Sequence, residues 1–132
     1  MSYIMIVDDD DDFSFATATV LEEAGHEVRV ESNIPSAELS LKTKQPDLVI
    51  LDAMFPESSS AGFDLARKIR HDGSLKHVPI LMLTAVNSKF PLGFSDKDID
   101  DAYMPVEDFL EKPVDFDILK NRVTNLLKNK ST

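Results

Sequence analysis

The chain has 132 residues, of which 42% are hydrophobic and 29% charged, with a formal net charge of −10. That length suits one domain with a real core, and the absence of cysteine excludes disulfides and thiolate metal sites. The acidic balance argues against nucleic acid as a partner, because nonspecific affinity for it depends on Lys and Arg neutralising phosphates; it suits solubility, a bound cation or a basic partner surface. No basic segment precedes the short apolar run in MSYIMIV, and no apolar stretch reaches membrane-spanning length. A cytoplasmic protein without membrane insertion is expected.

Tyr3–Val7 (YIMIV) reads as a buried strand that ends in the acidic run Asp8–Asp12. A helix is expected from about Asp12 to Ala24. Phe13, Ala16, Val20, Leu21 and Ala24 supply its apolar contacts, acidic residues suit its N-terminus and Gly25 stops it. Asp10, Asp11 and Asp12 read as solvated cap residues. Glu27–Glu31 (EVRVE) alternates polar and apolar residues and reads as a strand near the sheet edge. Asn33 or Ser32 can cap a helix running to about Thr43, with Pro35 in its first turn.

Asp47–Leu51 reads as the third strand, and Leu48–Leu51 (LVIL) is a continuous apolar run of the kind buried on both faces. It breaks off at Asp52. A carboxylate there is costly unless something needs it, and in open α/β sheets ligands collect at the C-terminal ends of the strands. On this stretch alone, a helix cap or a solvated loop residue explains Asp52 equally well.

The segment AMFPESSSAG has loop chemistry in Ser58–Ser60 and Gly62, and a helix is expected over Phe63–His71. Pro79 introduces a strand, Ile80–Leu83, that ends at Thr84. Residues 87–105 are the least regular part, because Pro91, Gly93 and Pro105 interrupt any long helix; a short one can start from Ser95. Glu107–Glu111 reads as a last strand closed by Lys112–Pro113, and a helix over about Asp115–Asn129 follows. His26, His71 and His77 share no metal-ligand spacing and read as surface residues. Repeated βα units imply a single α/β domain over residues 1–132, a parallel sheet with helices on both faces.

Four of the strands end in a distinctive polar group: Asp8/Asp9, Asp52, Thr84 and Lys112. In a parallel sheet these ends share one edge, so three carboxylates, a hydroxyl and an ammonium can converge. The matching text is IVDDD, VILDAMFP, LMLTA and FLEKP, in that order. In these motifs, and over essentially its whole length, the chain resembles the receiver domain of two-component response regulators.

The resemblance implies a flavodoxin-like (βα)5 doubly wound sheet of strand order 2-1-3-4-5, with an atypical segment 87–105 in place of the fourth helix. It implies a phosphorylatable switch, not a turnover enzyme, supplied by a histidine kinase or histidine phosphotransfer protein and read by an output protein. By position, Asp52 is the phosphoacceptor, Thr84 the switch hydroxyl, Lys112 the phosphate contact and Phe109 the switch aromatic. Asp9, Asp52 and the Met54 backbone carbonyl match the ligands of Mg2+ (Mn2+ can substitute), with Asp8 acting through water. Oxygen ligands and retained water suit that ion. Without it, the clustered carboxylates repel, which raises at least one pKa.

Two features depart from the family. ESSSA lengthens the loop before Gly62 beside the acidic site, which reads as a neutral insertion or as a change of access and partner choice, and the stretch from Thr84 to Lys112 is long and broken. Met54 and Val86, beside the path of hydrolytic water in such domains, are apolar, which implies slow self-dephosphorylation. The competing readings are a degenerate receiver used only for docking, an aspartyl phosphohydrolase and a flavin-binding protein. Met54 stands where the phosphohydrolase needs an acid, and the acidic first loop would repel a flavin phosphate.

Overall fold

The apolar runs become strands because both faces of the sheet are covered. The elements, in a computed structural model that describes residues 2–53, 55, 61–85, 106–112 and 114–130, are β1 (Tyr3–Val7), α1 (Asp11–Glu23), β2 (Glu27–Glu31), α2 (Ile34–Thr43), β3 (Leu48–Asp52), α3 (Ala61–His71), β4 (Ile80–Ala85), β5 (Asp108–Lys112) and α4 (Phe116–Lys130). The sheet has the order β2-β1-β3-β4-β5 and every pair is parallel. This is the doubly wound, flavodoxin-like arrangement expected from the sequence, with the alternating strand β2 at one edge.

Successive strand residues feed two separate cores. Met5, Val7, Val49, Leu51, Ile80 and Met82 pack with Ala37 and Leu41 of α2 and Leu65 and Ile69 of α3. Their neighbours Ile4, Ile6, Leu48, Ile50, Leu81 and Leu83 pack with Leu21 of α1 and Leu119 and Val123 of α4. The continuous apolar runs of β1, β3 and β4 follow from this, since none of their residues in these cores faces water.

Local chemistry sets the helix starts. The Asp10 carboxylate accepts from the Phe13 N–H at 3.0 Å and caps α1, while Asn33, not Ser32, caps α2 by accepting from the Ser36 N–H at 2.9 Å. Gly25 ends α1 with φ of 99°, a left-handed turn that favours glycine. At the far end of the sheet, the Arg70 guanidinium donates to the Lys76 and Val78 carbonyls and to Glu107, whose carboxylate also accepts from the Ile80 N–H at 2.7 Å. That network ties α3 to the start of β4 and the residues before β5.

Several boundaries differ from expectation. β3 is Leu48–Asp52 and not Asp47–Leu51, so Asp52 belongs to the strand; the Asp47 side chain is instead engaged by the Tyr3 N–H at 2.8 Å. β4 runs on to Ala85, and β5 is Asp108–Lys112, so Lys112 is also a strand residue. α3 begins at Ala61, which places Gly62 in a helix and not in a loop. A Cβ on Gly62 would lie 2.2 Å from the Asp52 carbonyl oxygen and 2.7 Å from that of Ala53. Glycine is there because the helix start lies directly on the end of β3. The Ser58–Ser60 run and segment 87–105, with its short helix from Ser95, lie outside the described residues.

Candidate acidic site at the strand ends

Parallel pairing sets the strand ends side by side. Val7 is level with Leu51, Asp52 with Leu83 and Ala85 with Lys112. Asp8, which follows β1, is 0% exposed; Asp52, at the end of β3, is 5% exposed, and Thr84 of β4 is also buried. Asp9 is exposed. Asp8, Asp9 and Asp52 each offer a carboxylate oxygen within 4.8 Å of the others.

Lys112 closes this cluster from β5. Its Nζ donates to Asp8 Oδ2 at 2.7 Å and lies 4.0 Å from Asp52 Oδ1. The other Asp8 oxygen accepts from the Asp10 N–H at 2.9 Å. Even so, burial pushes the Asp8 carboxyl above the usual carboxylate range, with Asp9 adding to the rise and Lys112 and the Asp10 N–H opposing it. Folded Asp8 therefore binds its proton more tightly than the unfolded chain does.

The residues expected from the sequence separate into two sets. Asp8, Asp9, Asp52 and Lys112 converge on one point. Thr84 lies at the same sheet edge, while Phe109 pairs in register with Met82 and packs, half-buried, on the core shared with α2 and α3. Strand alternation puts Thr84 on the same face as Met82 and hence as Phe109. Met54 and Val86 lie outside the described residues. Asp10 caps α1 and Asp11 and Asp12 stand exposed in its first turn, as expected. His71 and His77 are exposed, but His26 is half-buried with an Nδ1 that has no hydrogen-bond partner among the described residues, and burial lowers its pKa.

Phe13 was expected only as an apolar contact of α1. In the structure its ring centroid lies 4.5 Å from Lys112 Nζ. An aromatic in the first turn after an acidic run is the only trace of this in the sequence. The contact itself arises because β1 and β5 end at the same edge.

Three convergent carboxylates form a hard oxygen donor set that suits Mg2+. They are open on the Asp9 side and counter-charged by one lysine on the other. Residues 4–124 match the family model described as the response regulator receiver domain. The chain belongs to this family. This receiver is 34% identical over 110 residues to the phosphate regulon transcriptional regulatory protein PhoB of Pseudomonas aeruginosa, a match covering 83% of the chain and 44% of PhoB. It is 33% identical over 128 residues to the DNA-binding dual master transcriptional regulator RpaA of Synechocystis, covering 97% of the chain and 50% of RpaA. The receiver thus spans half or less of the length of these curated relatives. Among solved structures, a two-component response regulator from Clostridium difficile matches with a TM-score of 0.81 and 26% identity over 100% of both chains. The receiver domain of NtrX from Brucella abortus matches with a TM-score of 0.77 and 26% identity, over 95% of this chain and 98% of that one. No helix among the described residues is long and apolar enough to cross a membrane.

Proposed function

We propose that this receiver accepts a phosphoryl group on Asp52 from a phosphohistidine of a histidine kinase or histidine phosphotransfer protein, in the cytoplasm and in a Mg2+-dependent reaction. The observation that carries this is the placement of Asp52. It is a buried carboxylate whose neighbours within 4.8 Å are two further acids and whose flank is the Lys112 ammonium at 4.0 Å. Asp9, Asp52 and the Met54 carbonyl would hold the ion directly, with Asp8 through water. When bound, it would supply positive charge to the phosphoryl oxygens.

An Asp52 carboxylate oxygen attacks phosphorus in line. The new O–P bond forms as the N–P bond breaks, and the electron pair stays on the imidazole nitrogen, which keeps or takes up a proton. Lys112 exchanges Asp8 for a phosphoryl oxygen and stabilises its charge. The Thr84 hydroxyl turns toward that phosphoryl group, which frees space for Phe109 to move on the same face. The surface around β5 then changes shape for an output protein, as a shift between two populated states. RpaA is named as DNA-binding; the receiver itself, with a net charge of −10, is unsuited to contacting nucleic acid.

Two measurements follow. Thermal melts with Mg2+ at ten times its dissociation constant should gain about 1.4 kcal/mol by linkage, roughly 3–6 °C for a domain of this size. Asp9→Asn should lose most of that gain, and an unchanged wild-type melting temperature contradicts the metal site. Once phosphorylated, the purified protein should keep its acyl phosphate for minutes or longer, because Met54 and Val86 offer no side chain to orient water. Loss within seconds, followed by phosphate release, contradicts the slow self-dephosphorylation.

A further inference from the structure

We propose that Phe13 is a positioning residue for Lys112: the face of its ring seats the ammonium at a point from which it reaches either Asp8 or a phosphoryl group on Asp52. This rests on the phosphoacceptor reading above. Lys112 Nζ lies 4.5 Å from the Phe13 centroid, 2.7 Å from Asp8 Oδ2 and 4.0 Å from Asp52 Oδ1. Its side chain is 20% exposed, so the cation is largely out of water, where attraction to a ring face is strongest.

The ring is itself held in place. The Phe13 N–H donates to the capping Asp10 carboxylate, which fixes the first turn of α1. Phe116, in the first turn of α4, stacks on the ring at 6.2 Å between centroids and 23° between planes. Phe13 therefore joins the start of α1, the end of β5 and the start of α4 beneath one cation.

The role differs from that of an ordinary core side chain. During transfer the ammonium must leave a carboxylate oxygen for a phosphoryl oxygen. A hydrogen bond to Asp8 holds it at one point. The negative face of a ring attracts it over a broad area, so Nζ can move toward Asp52 without losing that contact. An aliphatic residue would fill the space but would not hold the charge.

The test replaces Phe13 in the full chain by mono-, di- and trifluorophenylalanine, which keep the ring's shape and progressively weaken its negative face. Phosphorylation of Asp52 by acetyl phosphate with Mg2+ should slow stepwise along the series. Phe13→Leu should slow it about three- to tenfold, and Phe13→Tyr should restore it. Melting temperatures should stay nearly constant across the fluorinated series. A flat rate series overturns the proposal. Proton NMR gives a readout independent of transfer: the Lys112 ε-methylene protons should be shifted upfield by the ring in the wild type and return to ordinary positions in Phe13→Leu. No upfield shift in the wild type overturns the seat itself. A wild type that shows the shift but takes up no phosphoryl group overturns the phosphoacceptor reading, and with it the role in transfer.

Discussion

Gly62→Ala should lower the stability of this receiver by about 3 kcal/mol, the upper part of the range for forced overpacking. Helix propensity alone predicts the opposite, a gain of up to about 1 kcal/mol for replacing glycine inside a helix. The clash wins because of what the new Cβ would meet. At 2.2 Å from the Asp52 carbonyl oxygen, 2.7 Å from the Ala53 carbonyl oxygen and 2.8 Å from the Ala53 Cα, the three nearest atoms are all backbone and none can rotate away. Either the first turn of α3 lifts off the sheet or the end of β3 moves, and the second displaces the Asp52 carboxylate. Gly73 is the control, since a Cβ there has nothing within 4 Å. Urea denaturation should show the large loss for Gly62→Ala and little change for Gly73→Ala. Equal stability of the two variants contradicts the close approach.

Lys112→Ala should cost a similar amount, about 3 kcal/mol at neutral pH, because it leaves the Asp8 charge buried without its partner. The pH dependence distinguishes this from lost packing. The folded-state pKa of Asp8 already lies above its unfolded value because of burial, and removing the lysine removes two of the influences that hold it down. For a carboxyl raised in this way, the folded state binds more protons than the unfolded state between the two pKa values. Stability therefore falls as pH rises through the folded pKa, and the loss vanishes below the unfolded one. The deficit of Lys112→Ala relative to wild type should accordingly shrink as pH falls from neutral toward the acid range. Lys112→Ala with Asp8→Asn should be more stable at neutral pH than Lys112→Ala alone. A deficit independent of pH, with no rescue by Asp8→Asn, contradicts this account of the pair.

The sheet was legible in the sequence because YIMIV, LVIL and ILML need no partner context to read as strands covered on both faces. The site was legible for a related reason. In a parallel sheet the end of each apolar run marks the same edge, so the sequence alone assigns Asp8, Asp52, Thr84 and Lys112 to one edge of the sheet. The ends of β3, β4 and β5 lie one or two residues beyond the apolar runs because backbone pairing, not side-chain polarity, decides them. The Ala53 N–H donates to the Leu83 carbonyl at 2.8 Å, which keeps Asp52 inside the ladder. Gly62 looked like a loop residue because its neighbours Ser58–Ser60 have loop chemistry; that a helix lies on the Asp52 backbone is a three-dimensional fact. Phe13 fits the α1 core pattern, and beyond its place after the acidic run nothing local marks that a lysine from the last strand rests on it.

The central claim is that Asp52 takes up a phosphoryl group, and intact mass spectrometry after incubation with acetyl phosphate and Mg2+ tests it most directly. The wild type should gain the mass of one phosphoryl group and Asp52→Asn should gain none. An unmodified wild type, or equal uptake by Asp52→Asn, would contradict it.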